Sequence, residues 1–239
     1  MRSTTYGDEA SHEHKFVDGK CDCGAEDPNY VLVPEGNISF NAIEETALPE
    51  EIELLTDGDS ALGVVAVSKS NKVLYLDKNA AADARVYLDA TKKTVGANVL
   101  SFATQMYFDK IEADGYVDFT LMPSGSAEAD RVYKIRLGAS AEGNLTLATV
   151  ALVDGADVAG EAVDTGVAVG EWFKLSIVYT EKDNTFAVSV NGEAKLSATA
   201  PYGMFKDASA ISQILVLASD ALVADVYFEN MSLSQIIAE

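Results

Sequence analysis

The sequence predicts an all-β fold in which two antiparallel sheets pack face to face. Apolar side chains recur at every second position in one segment: Phe173, Leu175, Ile177 and Tyr179. Residues spaced in this way share one face of a strand. Two turn signals follow, the polar residues 181–185 and the pair Asn191-Gly192. Asn-Gly suits a type I′ turn because both central residues need positive φ, so residues 166–196 are expected to hold three hairpin-connected strands.

Strands are predicted wherever aliphatic, aromatic and β-branched residues alternate with polar ones between turn residues. In chain order they cover residues 31–33, 38–42, 63–67, 73–77, 84–88, 99–108, 116–122, 131–137, 145–152, 172–180, 186–191, 194–199, 214–218 and 225–233. Little helix is expected. Many short strands separated by turns are typical of a two-sheet sandwich.

Clean alternation supports three of these strands in particular. Their shared faces are Leu100, Phe102, Thr104, Met106 and Phe108 in one, Val117, Phe119 and Leu121 in the next, and Tyr133, Ile135 and Leu137 in the third. The breakers between strands include Ala113-Asp114-Gly115 and Asp154-Gly155. Glycine and aspartate favour tight turns, so these positions are predicted to reverse the chain.

Composition narrows the classes of function. The chain has 239 residues, 48% of them hydrophobic, and a formal net charge of −21 from 38 acidic and 17 basic residues. Such a negative surface repels phosphate backbones and anionic lipid, which argues against nucleic-acid and membrane-surface roles. No apolar run is long enough to predict membrane insertion. The first residues also lack the apolar core of a signal peptide.

The chain is predicted to divide into three parts. Residues 1–10 are polar and expected to be a disordered tail. Residues 11–29 form a short segment that contains all the histidine and cysteine in the chain and ends at Pro28-Asn29. Residues 30–239 form one β-sandwich domain, since such sandwiches commonly reach roughly 200–250 residues as a single unit.

The main domain resembles a known superfamily. Residues 169–179, a polar turn and residues 186–193 look like the penultimate strands of concanavalin A-like jelly rolls, and residues 226–233 look like the closing strand. Residues 71–76 and 102–108 resemble earlier strands of the same fold. The superfamily includes laminin-G-like domains, legume-type lectins and carbohydrate-binding modules. The resemblance therefore implies a two-sheet antiparallel jelly roll, and it implies glycan binding as the usual function of such modules.

The N-terminal segment is predicted to bind zinc through His12, His14, Cys21 and Cys23. Four such ligands can close a tetrahedral His₂Cys₂ shell, and Val17-Asp18-Gly19 provides a reversal between the two pairs. A segment this short cannot build a core, so a metal would order it. The zinc would be structural, because no position remains for a catalytic water.

This segment also resembles a zinc-ribbon-like motif in surface proteins of gut-dwelling Gram-positive bacteria. Those motifs read Cys-x-His followed by Cys-x-x-Cys-Gly, whereas here His12 replaces the first cysteine and the last pair is Cys21-x-Cys23. The alternative is a leader with two thiols that hold no metal. The protein is expected outside the cell, on a bacterial cell surface, as this resemblance implies, or on a phage virion.

Catalytic signatures are not evident in the sequence. Glycosidases need two carboxylates about 5–10 Å apart across the scissile bond, and jelly-roll glucanases carry Glu-x-Asp-x-x-Glu on one strand face. Here Glu112-Ala113-Asp114 is followed by Val117 where the second glutamate would stand. The segment is therefore interpreted as a turn. A meeting of Glu112 with Asp118 has no support in the pattern.

Aromatic residues are the candidates for sugar contacts, since amphipathic rings can stack on a sugar while polar neighbours align its hydroxyls. The candidates are Tyr87, Tyr107, Tyr116 and Tyr202. The resemblance implies that Trp172, the single tryptophan, lies at the start of a central strand and packs in the core. A hydrophobic role for Tyr202, as a plug over the core, stays open.

Calcium is a further possibility. The oxygen-rich loops are Asp57-Gly58-Asp59-Ser60, Asp154-Gly155-Ala156-Asp157, Asp183-Asn184 and Glu229-Asn230. None has an EF-hand spacing, so plain turns are the simpler interpretation.

The sequence thus favours a non-catalytic module that recognises a glycan or a surface protein. The alternative is a structural or assembly module, such as a decoration or spacer domain, without a small ligand. A glycoside hydrolase is a third hypothesis.

Overall fold

Alternating apolar and polar residues form strands through most of the described chain. The computed structural model of the protein describes residues 16–17, 20–21, 38–56, 60–78, 82–95, 99–112, 114–123, 133–199 and 211–237. The strands in these ranges are β1 (Phe16–Val17), β2 (Lys20–Cys21), β3 (Ile52–Thr56), β4 (Ala61–Ala66), β5 (Lys72–Lys78), β6 (Ala84–Asp89), β7 (Lys92–Val95), β8 (Val99–Phe108), β9 (Val117–Pro123), β10 (Tyr133–Ala139), β11 (Asn144–Val153), β12 (Ala156–Ala159), β13 (Val163–Ala168), β14 (Phe173–Thr180), β15 (Thr185–Val190), β16 (Glu193–Thr199), β17 (Ile211–Ala218) and β18 (Ala224–Ile237).

Within the described residues the strands form two large sheets of eight strands each. The first sheet has the order β12-β11-β10-β9-β17-β6-β3, and β13 also pairs with β11. The second has the order β16-β15-β14-β8-β18-β5-β4, and β7 also pairs with β18. The pairing is antiparallel except between β7 and β18. The predicted all-β, two-sheet sandwich is therefore confirmed.

The core lies between the two sheets and follows the period-two pattern. Along β8 the even-numbered side chains are buried and the odd-numbered ones lie on the opposite face. The ring of Phe102 in the second sheet lies 5.7 Å from that of Phe119 in the first. We call the face of each sheet that points away from this core its outer face.

The hairpins of residues 166–196 form as predicted. β14 pairs with β15 and β15 with β16. Asn191 and Gly192 have φ of 52° and 82°, as a type I′ turn requires. The Asn191 side-chain oxygen accepts a 2.9 Å hydrogen bond from the Lys174 amide, which ties this turn to β14.

Several strand predictions are corrected by the structure. Residues 38–42, predicted as a strand, contain one β-bridge at Ile38 and a 3-10 helix at Phe40–Ala42. The apolar Ile38 and Phe40 are two positions apart and both buried, so their spacing imitated a strand. β3, β7, β12 and β13 were not predicted, and the predicted strand at 31–33 lies outside the described residues.

The N-terminal segment contains a short hairpin. Phe16 pairs with Cys21 and Val17 with Lys20, so the chain reverses between β1 and β2. This agrees with the reversal predicted at Val17-Asp18-Gly19.

The Asn191-Gly192 turn gives a prediction about stability. We expect Gly192→Ala to lower the free energy of unfolding by about 1 kcal/mol, because a Cβ disfavours the left-handed conformation. A Cβ at this position would have no atom within 4 Å, so the cost is conformational. Urea unfolding would measure it.

The matched control is Gly138→Ala in β10. Its φ is not positive, and its Cβ would meet Thr146 Oγ1 at 3.6 Å, which is ordinary contact. We expect a change within about 0.5 kcal/mol. Equal destabilisation by both substitutions would contradict the turn assignment.

Candidate functional site

Four aromatic side chains lie in a row across the outer face of the second sheet. Strand register creates this row: Tyr75 of β5 pairs with Tyr227 of β18, and Tyr227 pairs with Tyr107 of β8. Phe173 pairs with Met106, so Trp172 lies beside Tyr107. We call Tyr75, Tyr227, Tyr107 and Trp172 the aromatic row. It crosses four neighbouring strands.

The rings of the aromatic row contact one another without forming a flat platform. The ring centroids of Tyr75 and Tyr227 are 5.1 Å apart, and those of Tyr107 and Trp172 are 5.5 Å apart, both tilted. Tyr107 meets Tyr227 edge-on at 5.7 Å. Trp172 is 40% exposed, whereas the tyrosines are half-buried. The tyrosines therefore brace Trp172 and leave it accessible to a ligand.

Trp172 corrects a prediction made from the sequence, because it does not lie in the core. β14 begins at Phe173, whose side chain is buried with Leu175, and the preceding side chain points to the opposite face. A turn fixes it there: the Gly170 amide donates to the Phe108 carbonyl at 3.0 Å, with Gly170 at φ 90°. The alternation itself carried this signal, since Trp172 is out of phase with the core positions.

Glu229 of β18 lies beside the aromatic row and is held by two amides. Asn71 Nδ2 donates to Glu229 Oε1 at 2.9 Å, and Gln105 Nε2 donates to Glu229 Oε2 at 2.7 Å. Glu229 is 9% exposed. The sequence did not indicate this contact, because its partners lie 158 and 124 residues away.

A bulge in β18 sets the direction of Glu229. Asn230 has φ of 55°, and the register with β8 shifts between Glu229 and Ser232. One extra residue lets Phe228 and Met231 both enter the core. Glu229 consequently stays on the outer face, beside Tyr227 of the same strand.

A cavity of about 610 Å³ joins these groups. Its described lining is Val67, Asn71, Gln105, Tyr107, Trp172, Tyr227 and Glu229. Its volume is in the range of small-molecule sites, roughly 300–1,000 Å³. One wall is aromatic and the other offers carboxylate and amide oxygens. It can hold a molecule that has an apolar face and hydroxyl donors.

Acidic residues flank the other side of the aromatic row. The Tyr75 hydroxyl donates to Asp225 Oδ1 at 2.8 Å, and the Asp225 amide donates to Asp109 Oδ1 at 2.7 Å. Burial raises the pKa of Tyr75, and the hydrogen bond to Asp225 raises it further. Burial also raises the pKa of Tyr227, with smaller contributions from Asp225 and Asp109. Both phenols therefore remain neutral hydrogen-bonding groups.

The predicted sugar-contacting tyrosines do not come together. Tyr107 lies in the aromatic row, whereas Tyr87 of β6 and Tyr116, just before β9, belong to the first sheet. Tyr202 lies outside the described residues. Asn71, Gln105 and Glu229 were not among the predicted sugar contacts.

The surroundings of Tyr116 are already paired. Arg136 lies 3.5 Å from the centroid of the Tyr116 ring and makes two hydrogen bonds of 2.7 and 2.8 Å to Asp118. A smaller cavity of about 300 Å³ opens there. Its lining consists largely of glycine and alanine, and its Arg136 is already paired with Asp118, so it offers less to a ligand.

The weak hydrolase motif is a turn, as predicted. The Gly115 amide donates to the Glu112 carbonyl at 2.9 Å, which closes a tight turn over Glu112 to Gly115. Asp118, the other carboxylate considered, is the partner of Arg136.

Among the described residues, no group of three or more His, Cys, Asp or Glu side chains is arranged so that it could hold a metal ion. His12, His14 and Cys23 lie outside it, as do residues 57–59; Cys21 lies in β2. In the other oxygen-rich loops Asp154 and Asn184 occupy turns with positive φ. Asp157 pairs with Lys134 at 2.6 Å.

Comparison with known proteins shows the fold. No family model matches the chain, and no curated protein matches it. Among solved structures, the carbohydrate recognition domain of Emp47p has a TM-score of 0.56 at 11% identity, covering 85% of this chain and 96% of that one. No helix long and apolar enough to cross a membrane occurs in the described ranges.

Two further structures belong to carbohydrate-active proteins. An endo-acting O-glycanase structure from the human gut microbiota has a TM-score of 0.58 at 13% identity and covers 84% of this chain and 98% of that one. A GH16 protein of a Bacteroides ovatus mixed linkage glucan locus, in complex with a product, has a TM-score of 0.53 at 10% identity, covering 78% and 96%. These neighbours fit the expected concanavalin A-like jelly-roll sandwich, and identities this low show the fold alone.

The buried tyrosines predict a loss of stability at alkaline pH. Burial raises the pKa of Tyr75, Tyr116, Tyr179 and Tyr227 above the ordinary 10.0, that of Tyr179 to about 12. Their stabilising contribution is full below pH 10.0 and is lost as pH rises through the folded-state pKa. Burial lowers the pKa of Lys78, which acts in the opposite sense. The raised pKa values of the four tyrosines outweigh the lowered pKa of the one lysine, so the Tm should fall above pH 10.

Calorimetry across this range, with ultraviolet titration of the phenols, would measure the effect. In Tyr179→Phe the decline toward pH 12 should be shallower, although loss of the 3.0 Å bond to Asn184 costs about 1 kcal/mol at neutral pH. A Tm that stays constant to pH 12 would contradict the assignment.

Proposed function

We propose that this protein is a non-catalytic carbohydrate-recognition module that binds glycans on the outer face of its second sheet. One observation carries the proposal: an exposed tryptophan, braced by tyrosines, stands beside a carboxylate that two amides hold in place. Trp172 and Glu229 line the same cavity. Aromatic rings accept the apolar face of a sugar, and fixed acceptors align its hydroxyls.

The chemistry of the cavity suits a sugar better than a wholly apolar ligand. Val67 and the aromatic side chains supply apolar contact, while Asn71, Gln105 and Glu229 supply polar atoms. A sugar ring has both characters at once. An apolar ligand would displace water from the Glu229 carboxylate and leave it only the two amide donors, which is costly for a charged group.

The comparisons support a carbohydrate ligand without identifying one. One of the similar structures is the carbohydrate recognition domain of Emp47p, and the Bacteroides ovatus protein was solved with a product. These are properties of those proteins. For this chain the specific support comes from Trp172, Tyr107, Tyr227 and Glu229.

The absence of catalysis is part of the proposal. Hydrolysis of a glycosidic bond uses two carboxyl groups about 5–10 Å apart. Among the described residues that line the cavity, one, Glu229, is a carboxylate. Both of its oxygens accept amide hydrogen bonds, which favours a fixed acceptor over a proton shuttle.

The zinc segment and an extracellular location remain proposals. The antiparallel pairing of β1 with β2, which ends at Cys21, supports a reversal between the two ligand pairs. The donor set of two imidazoles and two thiolates suits tetrahedral zinc. We place the protein on a cell surface or a virion, where a glycan or a surface protein is its partner.

The glycan proposal predicts the effect of Trp172→Ala. Removal of the exposed indole should weaken binding to a glycan found on an array by roughly five- to thirtyfold, since one aromatic contact contributes on the order of 1–2 kcal/mol. Titration calorimetry would measure it. Trp172 is partly exposed, so the variant should fold.

The control is Tyr87→Ala, which truncates a predicted contact on the opposite sheet. Its affinity should equal that of the wild type. No binding across a broad array would favour the structural or assembly role. Equal losses of affinity in both variants would contradict the assignment of the binding site to the outer face of the second sheet.

The zinc proposal predicts about one zinc per chain in purified protein. The combined Cys21→Ser and Cys23→Ser variant should contain none by elemental analysis. Wild-type protein without metal would refute it.

A further inference from the structure

The one charged group among the described residues that line the cavity, the Glu229 carboxylate, can only accept hydrogen bonds. Asn71 and Gln105 each direct an N–H at Glu229. A carboxylate has about four acceptor positions, so two amide bonds leave others for a ligand. The amide carbonyl oxygens also only accept. A ligand group that binds Glu229 must therefore supply a donor, which a hydroxyl group does and an ionised carboxylate or sulfate does not.

The flank of the aromatic row adds negative charge. Asp225 pairs with Asp77 across β18 and β5, and Asp109 accepts from the Asp225 amide. These carboxylates lie beside Tyr75 and Tyr227, on one flank of the aromatic row. Asp225 and Asp109 contribute to raising the pKa of Tyr227, so their field reaches the aromatic row.

None of the described residues that line the cavity carries a positive charge. Lys174 lies opposite Gln105 in the register and is exposed, outside the lining of the cavity. The Lys72 ammonium donates to the Ile43 carbonyl at 2.8 Å. Among the described residues, no ion pair includes Glu229. A negatively charged ligand would therefore be repelled by Glu229, and only the dipoles of the Asn71 and Gln105 amides would offset that repulsion.

We infer that this site selects uncharged glycans and rejects their carboxylated or sulfated counterparts, with Glu229 as the selecting residue. The inference rests on the proposed function and adds the class of ligand. An uncharged sugar donates hydroxyl hydrogens to Glu229 while its ring lies on Trp172. An acidic group at the same position supplies no donor and is repelled, and partial burial limits the screening of that repulsion by salt.

Matched pairs of glycans test the inference. The probes are galactose-terminated oligosaccharides with their sialylated and sulfated forms, and xylo-oligosaccharides with and without glucuronate. For the uncharged glycan that binds, wild-type protein should prefer the uncharged member by at least about tenfold. The ratio of the two dissociation constants is the readout.

Three variants assign the selection. Glu229→Gln should bring the ratio close to one. Val67→Lys places a cation at an exposed position of the lining and should also lower the ratio, which covers the case in which Glu229→Gln fails to fold. Glu142→Gln, at the exposed turn before β11, changes the net charge equally and should leave the ratio unchanged.

The possible failures are distinguishable. Binding that needs Trp172 but shows a ratio of one, or a preference for the acidic member, overturns this inference and leaves the proposed function intact. An equal effect of Glu142→Gln overturns the role of Glu229. No binding to any probe overturns the proposed function and the inference with it.

Discussion

The register of β8 between β14 and β18 is the constraint on which both the core and the cavity depend. Its even-numbered side chains fill the core and its odd-numbered ones, including Gln105 and Tyr107, form the outer face. A slip by one residue would exchange the two sets. Phe102 would then face solvent and Gln105 would enter the core. Burial of the apolar set thus also fixes the groups that line the cavity.

The bulge at Asn230 reconciles two demands on β18. This strand must bury Phe228 and Met231 and also present Tyr227 and Glu229 beside β8. Strict alternation cannot satisfy both, because Phe228 and Met231 are three residues apart. The extra residue resolves the conflict at the cost of positive φ at Asn230, which asparagine tolerates better than most residues. A local irregularity next to a cavity is a common feature of functional sheets.

Local patterns predicted the scaffold well and the site poorly. Alternation was sufficient for β8 and β14, since each has one buried face. In β9 it indicated one of two buried faces, because Asp118, Thr120 and Met122 are buried as well. β12 was missed because its four residues are all exposed and carry no such pattern. The position of Trp172 was wrong because resemblance was given more weight than alternation, although the phase relative to Phe173 placed it outside the core.

The contacts of Glu229 could not have been predicted, because register over more than a hundred residues creates them. The sequence shows a glutamate in a closing strand and gives no sign of which side chains will lie opposite. Pairwise contacts of this kind arise from the order of strands in the sheet, which alternation does not encode.

Two outer-face carboxylates show why the sheets differ in function. Asp118 on the first sheet is buried, and Arg136 neutralises it through two hydrogen bonds. Glu229 on the second sheet has neutral partners, which orient the carboxylate without cancelling its charge. A partly buried charge without a counterion is unfavourable for folding unless water or a ligand reaches it. The cavity provides that access, and the same arrangement that costs stability gives the second sheet a face on which a hydroxyl-bearing ligand can be recognised.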